Sequence, residues 1–143
     1  MISTKGRHAL RIMLDLAQQN SEHHIPLDEI AARQEISKKY LESLIKTLVQ
    51  NKLVTGLRGK GGGYRLTRRP AEYTVGEILE VMEGTLAVVA CLQDGAKPCK
   101  RSAQCATLPM WKEFDFWSVI SSSISRWKTW RKAVSPCPID FLL

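Results

Sequence analysis

A mainly α-helical domain carrying a small β-hairpin is the fold class this sequence predicts, and three observations predict it. Apolar residues recur at three- and four-residue steps through most of residues 9–49 and again through 75–82. Two short segments with β-branched and aromatic residues, "KLVTGLR" and "GYRLT", flank a cluster of glycines at Gly59, Gly61, Gly62 and Gly63. Beyond Pro109 an apolar pattern rich in aromatic residues resumes and predicts one further, long helix.

The first helix is capped by Ser3 or Thr4, and Ala9, Leu10, Ile12, Met13, Leu14, Leu16 and Ala17 carry it to about Gln19. After "NSEHH", Pro26 and Leu27 open a short helix, "PLDEIAARQ". Its inward residues are Leu27, Ile30 and Ala31, and its acids lie in the first turn, where the helix dipole favours them. Ile36 and Ser37 break it and start a third helix, "SKKYLESLIKTLVQ". Tyr40, Leu41, Leu44, Ile45, Leu48 and Val49 form its apolar stripe, and Ser37, Lys38, Lys39, Glu42, Ser43 and Lys46 its polar face. Two short helices joined by a tight turn make a helix-turn-helix, whose second helix offers its polar face to the major groove of DNA.

The glycine cluster then reads as the tip of a wing. "RGKGGG" lacks the G-x-x-x-x-G-K-[ST] order of a phosphate-cradling loop, and strand-like residues follow it instead of a helix. Glycines permit positive φ and close approach to a sugar-phosphate chain, while Arg58 and Lys60 supply charge, and an arginine suits a narrow minor groove. A plain hairpin needs one or two glycines, so four favour a contact role.

Next, "TVGEILEVMEG" places Thr74 and Glu77 at capping-box spacing and turns Val75, Ile78, Leu79 and Met82 inward, so this helix packs back on the domain. The composition changes at "CLQDGAKPCKRSAQC", an exposed loop that spaces Cys91, Cys99 and Cys105 as C-x7-C-x5-C. The final helix carries Met110, Phe114, Trp117, Ile120, Ile124 and Trp127 at three- and four-residue steps. The organisation is therefore residues 1–84 as a winged helix-turn-helix domain, 85–107 as a cysteine-bearing sensor loop, 108–132 as the long helix and 133–143 as a tail.

Charge agrees with a polyanion partner. The net charge is +7, and the excess lies in residues 1–70, which hold 13 Lys and Arg against 6 Asp and Glu, whereas residues 71–143 hold 8 of each. A merely solvated basic face is the bland alternative. No apolar run approaches the roughly 20 residues that span a bilayer, and the charged N-terminus is no secretory signal, so no membrane association and a cytoplasmic location are expected. His8, His23 and His24 stand beside no recognisable nucleophile, so no enzyme is expected.

Taken in order, "STKGRHALRIMLDLA", "ISKKYLESLIKTL", "LVTGLRGKGGGYRLTR" and "TVGEILEVMEG" resemble the Rrf2 family of bacterial winged-helix transcription regulators over roughly residues 1–117. The resemblance implies a homodimer on a palindromic double-stranded DNA operator, with the recognition helix in the major groove and the wing arginine in the minor groove. It implies DNA contact by Ser37, Tyr40 and Glu42, although Tyr40 also lies on the apolar stripe. It further makes residues 108–132 a dimerisation helix that pairs with its twin.

For the cysteine loop the resemblance implies an iron-sulfur cluster, 2Fe–2S or 4Fe–4S, ligated by Cys91, Cys99 and Cys105, with a slightly longer first gap than the family shows. Lys97, Lys100 and Arg101 between the ligands favour thiolate. The fourth ligand departs from the family: the histidine that follows the third cysteine in the family's iron-sulfur regulators is Leu108 here. The acid that a partner subunit's first helix supplies in nitric oxide sensors is Arg7. His8 and Cys137 are the remaining candidates, His8 also reading as a polar residue near DNA and Cys137 as part of a proline-stiffened tail; an open iron completed by solvent or a small ligand is a further alternative. A disulfide staple is not expected in the reducing compartment expected for this chain, while zinc, which the spacing disfavours, and a thiol switch stay open.

The expected function is thus a dimeric DNA-binding transcriptional regulator sensing iron-sulfur, redox or nitric oxide status. The alternative is a zinc- or thiol-switch interaction protein with a basic nucleic-acid-binding face. "SSSISRWKTWRKAVSPCPIDFLL" is unlike the family's leucine-rich, acidic ending, either by divergence or by a change of frame. Trp127 and Trp130 with Arg126, Lys128 and Arg131 read more simply as an aromatic dimer core than as a membrane-surface helix.

Overall fold

The computed structural model describes residues 2–19 and 23–124, with side chains as far as residue 120. Its helices are α1 (Thr4–Gln19), α2 (Leu27–Gln34), α3 (Lys38–Gln50), α4 (Val75–Glu83) and α5 (Leu108–Ile124), and a hairpin of β1 (Val54–Leu57) and β2 (Gly63–Leu66) lies between α3 and α4. The part of the expected final helix beyond residue 124, together with Trp127, Trp130 and Cys137, lies outside the described residues.

One core joins the first four helices. Ile12 and Met13 of α1, Ile30 of α2, Leu41, Leu44, Ile45 and Leu48 of α3, and Ile78 of α4 are all essentially buried and cluster together. These are the positions the helical period selects. Val49 departs from the expected stripe: it is 36% exposed, because the core-facing arc of α3 is filled by Leu41, Leu44, Ile45 and Leu48 and Val49 lines the groove toward the wing.

Local chemistry fixes the helix ends. Pro26 holds the extended conformation that admits α2, whose first turn carries Asp28 and Glu29. The helix stops at Glu35, which takes the left-handed conformation (φ 55°) in place of the usual glycine. Ser37 then caps α3 by accepting from the Tyr40 N–H at 3.4 Å. The expected capping box of α4 forms only by half. Thr74 Oγ1 accepts from the Glu77 N–H at 3.1 Å, but the Glu77 carboxylate pairs with Arg68 instead of returning to the cap.

Two polar devices hold the helix-turn-helix and the wing in place. Asp15 of α1 is 3% exposed and accepts a bidentate pair from Arg33 (2.9 Å twice) and a third bond from Gln34 (3.1 Å), so the end of α2 is pinned to α1. Tyr73, fully buried, donates through its hydroxyl to the Leu53 carbonyl at 2.8 Å and accepts from the N–H groups of Thr67 (3.0 Å) and Arg68 (2.9 Å). That single oxygen closes the base of the hairpin across both strands.

The hairpin pairs Val54 with Leu66 and Leu57 with Gly63 in antiparallel register. Ile25, ahead of α2, adds a bridge to Tyr64 through two backbone bonds of 2.9 and 2.8 Å. This arrangement revises the expectation drawn from the glycines. Gly59 and Gly61 have φ of +94° and +76°, while a Cβ on Gly62 or Gly63 would strike backbone oxygens of Leu57 and Ile25. The turn itself therefore requires all four, and their number is not evidence of contact with DNA.

Glu83, at the end of α4, accepts from the backbone N–H and hydroxyl of Ser3 at 3.0 and 2.7 Å, locking the last turn of α4 to the entry of α1. Its carboxyl is held below the ordinary glutamate range, chiefly by the Ser3 hydroxyl. No helix among the described residues is long and apolar enough to cross a membrane.

Candidate functional site

The polar face of α3 and the wing enclose a shared groove of about 610 Å³. Glu42, Lys46 and Gln50 line it from the helix, and Leu57, Arg58 and Gly59 from the hairpin. The helix face and the wing tip expected to meet DNA are thus neighbours in space. Ser37, Lys38, Lys39 and Glu42 are exposed, as are Arg58 and Lys60.

These side chains are not equally available. Ser37 Oγ is occupied as an acceptor by its own helix cap. Lys38 Nζ pairs with Asp28 of α2 at 2.7 Å, which pushes its pKa up, so a phosphate would have to compete with that carboxylate. Tyr40 is half-buried, and its ring meets that of His8 edge to face at 5.6 Å. The His8 Nδ1 atom is buried without a hydrogen-bond partner, and burial, reinforced by Arg11 and Arg7, lowers the imidazole pKa.

Sequence reasoning missed Gln50, Val49 and Leu57 as part of this face. Leu57 is 53% exposed beside Arg58, and alternation along β1 was the available signal. The contact between His8 and Tyr40 joins two helices far apart in the chain and leaves no local signature.

The cysteine loop stands elsewhere. It follows α4 and leads into α5, with short 3₁₀ turns at Ala90–Leu92 and Ser102–Gln104. Cys91 and Cys99 are exposed and Cys105 is half-buried, all three as free thiols. Cys105 Sγ lies 3.5 Å from Thr107 Oγ1, and this contact is the main cause that lowers its pKa, with Arg101 contributing last. Of the cations expected to acidify the loop, Arg101 therefore matters at Cys105, but less than a hydroxyl does.

The donors suit an iron-sulfur cluster in chemistry and in their place on an exposed loop. Their placement does not. Among the described residues no three His, Cys, Asp or Glu side chains are gathered so as to hold a metal ion. Leu108, where a histidine ligand would stand, is the first residue of α5.

α5 packs against α4, and Asp115 accepts from the Val88 N–H at 3.0 Å. Its outer face is apolar and open: Met110, Phe114 and Trp117 are 52%, 62% and 60% exposed. A row of this kind is uncommon on an isolated surface.

A model of the Rrf2 family, described as an iron-dependent transcriptional regulator, matches residues 2–116. The HTH-type transcriptional regulator IscR of Aliivibrio salmonicida is 38% identical over 112 residues, covering 78% of this chain and 66% of that protein. A putative HTH-type transcriptional regulator, ORF2, of Azotobacter vinelandii is 39% identical over 110 residues, with 77% and 66% covered. The chain spans about two thirds of the length of these curated relatives. Among solved structures, T. potens IscR superposes with a TM-score of 0.72 at 31% identity, over 93% of this chain and 87% of that one. CymR, the global cysteine regulator of B. subtilis, gives 0.64 at 35%, over 86% and 91%. The relatives are named as regulators of transcription and not as enzymes, and with the family matched across the wing, the helix-turn-helix and the start of α5, the chain belongs to the Rrf2 family of transcriptional regulators.

Proposed function

We propose that this chain binds a palindromic double-stranded DNA operator as a homodimer in the cytoplasm and adjusts its affinity through the loop bearing Cys91, Cys99 and Cys105. The observation that carries the DNA reading is the shared groove. Glu42 and Lys46 of α3 and Arg58 of the wing line one concavity, so a single DNA strand can pass between a helix in the major groove and a hairpin in the minor groove. Lys39 and Lys60 supply phosphate contacts, and Lys38 joins them by exchanging Asp28 for phosphate. Ser37 and Tyr40, which stand outside that concavity at the start of α3, would offer hydroxyls to the DNA. Glu42 would repel phosphate and is useful where it accepts from a cytosine amino group. The exposed row Met110, Phe114 and Trp117 supports pairing of α5 with its twin.

For the sensing role, three thiols on one exposed loop support an iron-sulfur cluster of the 2Fe–2S or 4Fe–4S type, and the likeness to proteins named IscR supports it further. Because the thiols are not gathered, binding requires the loop to close, with His8 of a partner or Cys137 as candidates for a fourth ligand. A bound cluster would supply a redox-sensitive tie across the loop. The chain's own contacts transmit the difference: the loop leaves α4, and α4 is locked to α1 through Glu83 and Ser3. A coupling of about 1–3 kcal/mol through that route would change DNA affinity roughly 5- to 150-fold.

A second reading, a thiol switch without iron, is favoured by the acidified Cys105 thiol and by the likeness to CymR. Iron and sulfide assays on protein purified without oxygen separate the two. Stoichiometric iron and sulfide support the cluster, whereas zinc without sulfide, or neither after reconstitution, overturns it. Selection of duplexes from a random pool tests the DNA reading: enrichment of a palindrome supports it, and recovery of no preferred sequence overturns it.

A further inference from the structure

We infer that His8 is a positioning residue for Tyr40: its ring braces the tyrosine of the recognition helix so that the phenol is held ready for DNA. The inference rests on the proposed DNA contact by Tyr40. The two rings meet edge to face, with centroids 5.6 Å apart and planes at 75°, a geometry that aromatic pairs favour beyond simple burial. They come from different elements, α1 and the first turn of α3, and both helices are fixed by the common core of Ile12, Met13, Leu41 and Leu44. The backbone of Tyr40 is held separately, by the bond from its N–H to Ser37 Oγ. Cap and ring contact together leave the tyrosine little freedom, whereas its hydroxyl makes no hydrogen bond among those found within the described residues.

The orphaned Nδ1 of His8 says which part of that side chain matters. A buried nitrogen without a partner is a cost that a hydrogen-bonding role would remove. What the position uses is the flat ring. An unbraced tyrosine would have to be immobilised when DNA binds, and ordering a side chain at an interface weakens binding. Bracing it beforehand transfers that cost to folding.

The test uses full-length protein prepared without iron, so that any role of His8 as a ligand is set aside. Binding is measured by fluorescence anisotropy, well below each variant's Tm, on the duplex that the unaltered chain selects from a random pool. His8→Ala is expected to weaken binding about 2- to 12-fold, the range for loss of an aromatic pair. His8→Phe keeps the affinity, and His8→Leu, which fills the space without a ring, loses it as alanine does. In a Tyr40→Ala background, His8→Ala has no further effect. Equal losses from His8→Ala in both backgrounds, or a His8→Phe variant as weak as His8→Ala, would overturn the inference. If Tyr40→Ala binds as well as the unaltered chain, the DNA role of Tyr40 fails and takes the inference with it. Should Tyr40→Ala weaken binding while His8→Ala does not, the inference alone fails.

Discussion

Tyr73→Phe removes one oxygen from a site that is otherwise undisturbed, and its cost can be worked out from the partners of that oxygen. The ring stays buried, and Arg68 still lies 4.5 Å over its face. Leu53 O and the Thr67 N–H keep their mutual bond at 3.3 Å, while the Thr67 hydroxyl loses its 3.0 Å contact with the phenol but keeps its donation to Lys52 O at 2.6 Å. Only the Arg68 N–H loses the partner found for it. One part-buried donor left unsatisfied costs about 1–3 kcal/mol, and the bonds lost elsewhere are cushioned by these second partners, so a total near 2 kcal/mol is expected. For a chain of this length, between the small and medium size classes, that is a fall in Tm of roughly 6–8 °C. Thermal unfolding of iron-free protein by circular dichroism measures it, with urea titration at unchanged m as a control. A fall of less than about 2 °C would refute the claim that this hydroxyl closes the base of the wing.

Other expectations concern the site and its supports. Arg58→Ala should weaken operator binding by about 1–3 kcal/mol, whereas Lys60→Ala should weaken specific and non-specific DNA alike and flatten the salt dependence by about one unit; gel-shift titrations over a salt series distinguish the two. Alanine at Cys91, Cys99 or Cys105 should each deplete iron and sulfide severely while the variants still fold, and alanine at Cys137 should change little where His8 or solvent fills the fourth position, a shifted spectrum there assigning that position to Cys137; an intact visible spectrum in any of the first three removes that residue from the ligand set. Because the Glu83 pKa is depressed in the folded chain, its contribution is present above the unfolded value of about 4.3 and is lost as pH falls through the folded value. Glu83→Gln should therefore lower Tm at pH 7, with the gap from the unaltered chain closing at acid pH, and a pH-independent gap would count against the contact with Ser3.

What could be read from the sequence divides along a physical line. Helical period and local caps are properties of neighbouring residues, so Ser37, Thr74 and, apart from Val49, the inward residues of α1 to α4 stood where the pattern put them. What the pattern did not show lay where a distant partner decided the outcome. Glu77 left its capping box for Arg68, and the wing glycines answer to the backbone of Leu57 and Ile25. The bidentate pair of Asp15 with Arg33 and the bonds of Tyr73 join residues that no periodicity links. For the site, the motif order brought α3 and the wing together correctly. The cysteine spacing showed that donors exist but could not show whether they converge.

The bridge from Ile25 to Tyr64 also bears on how the chain folds. A two-stranded hairpin of four-residue strands is too small to persist alone in water. Here its ladder is extended by a residue that lies ahead of α2, so the chain between residues 25 and 64 forms a closed loop containing the whole helix-turn-helix. The entropy of closing such a loop rises only slowly with its length, but it falls due before the two backbone bonds and the packing of Tyr64 give any return. Wing and recognition helix are therefore expected to gain and lose order together. Hydrogen exchange should then find the amides of Ile25 and Tyr64 opening in the same cooperative unit as those of α3, not as a separately fraying hairpin.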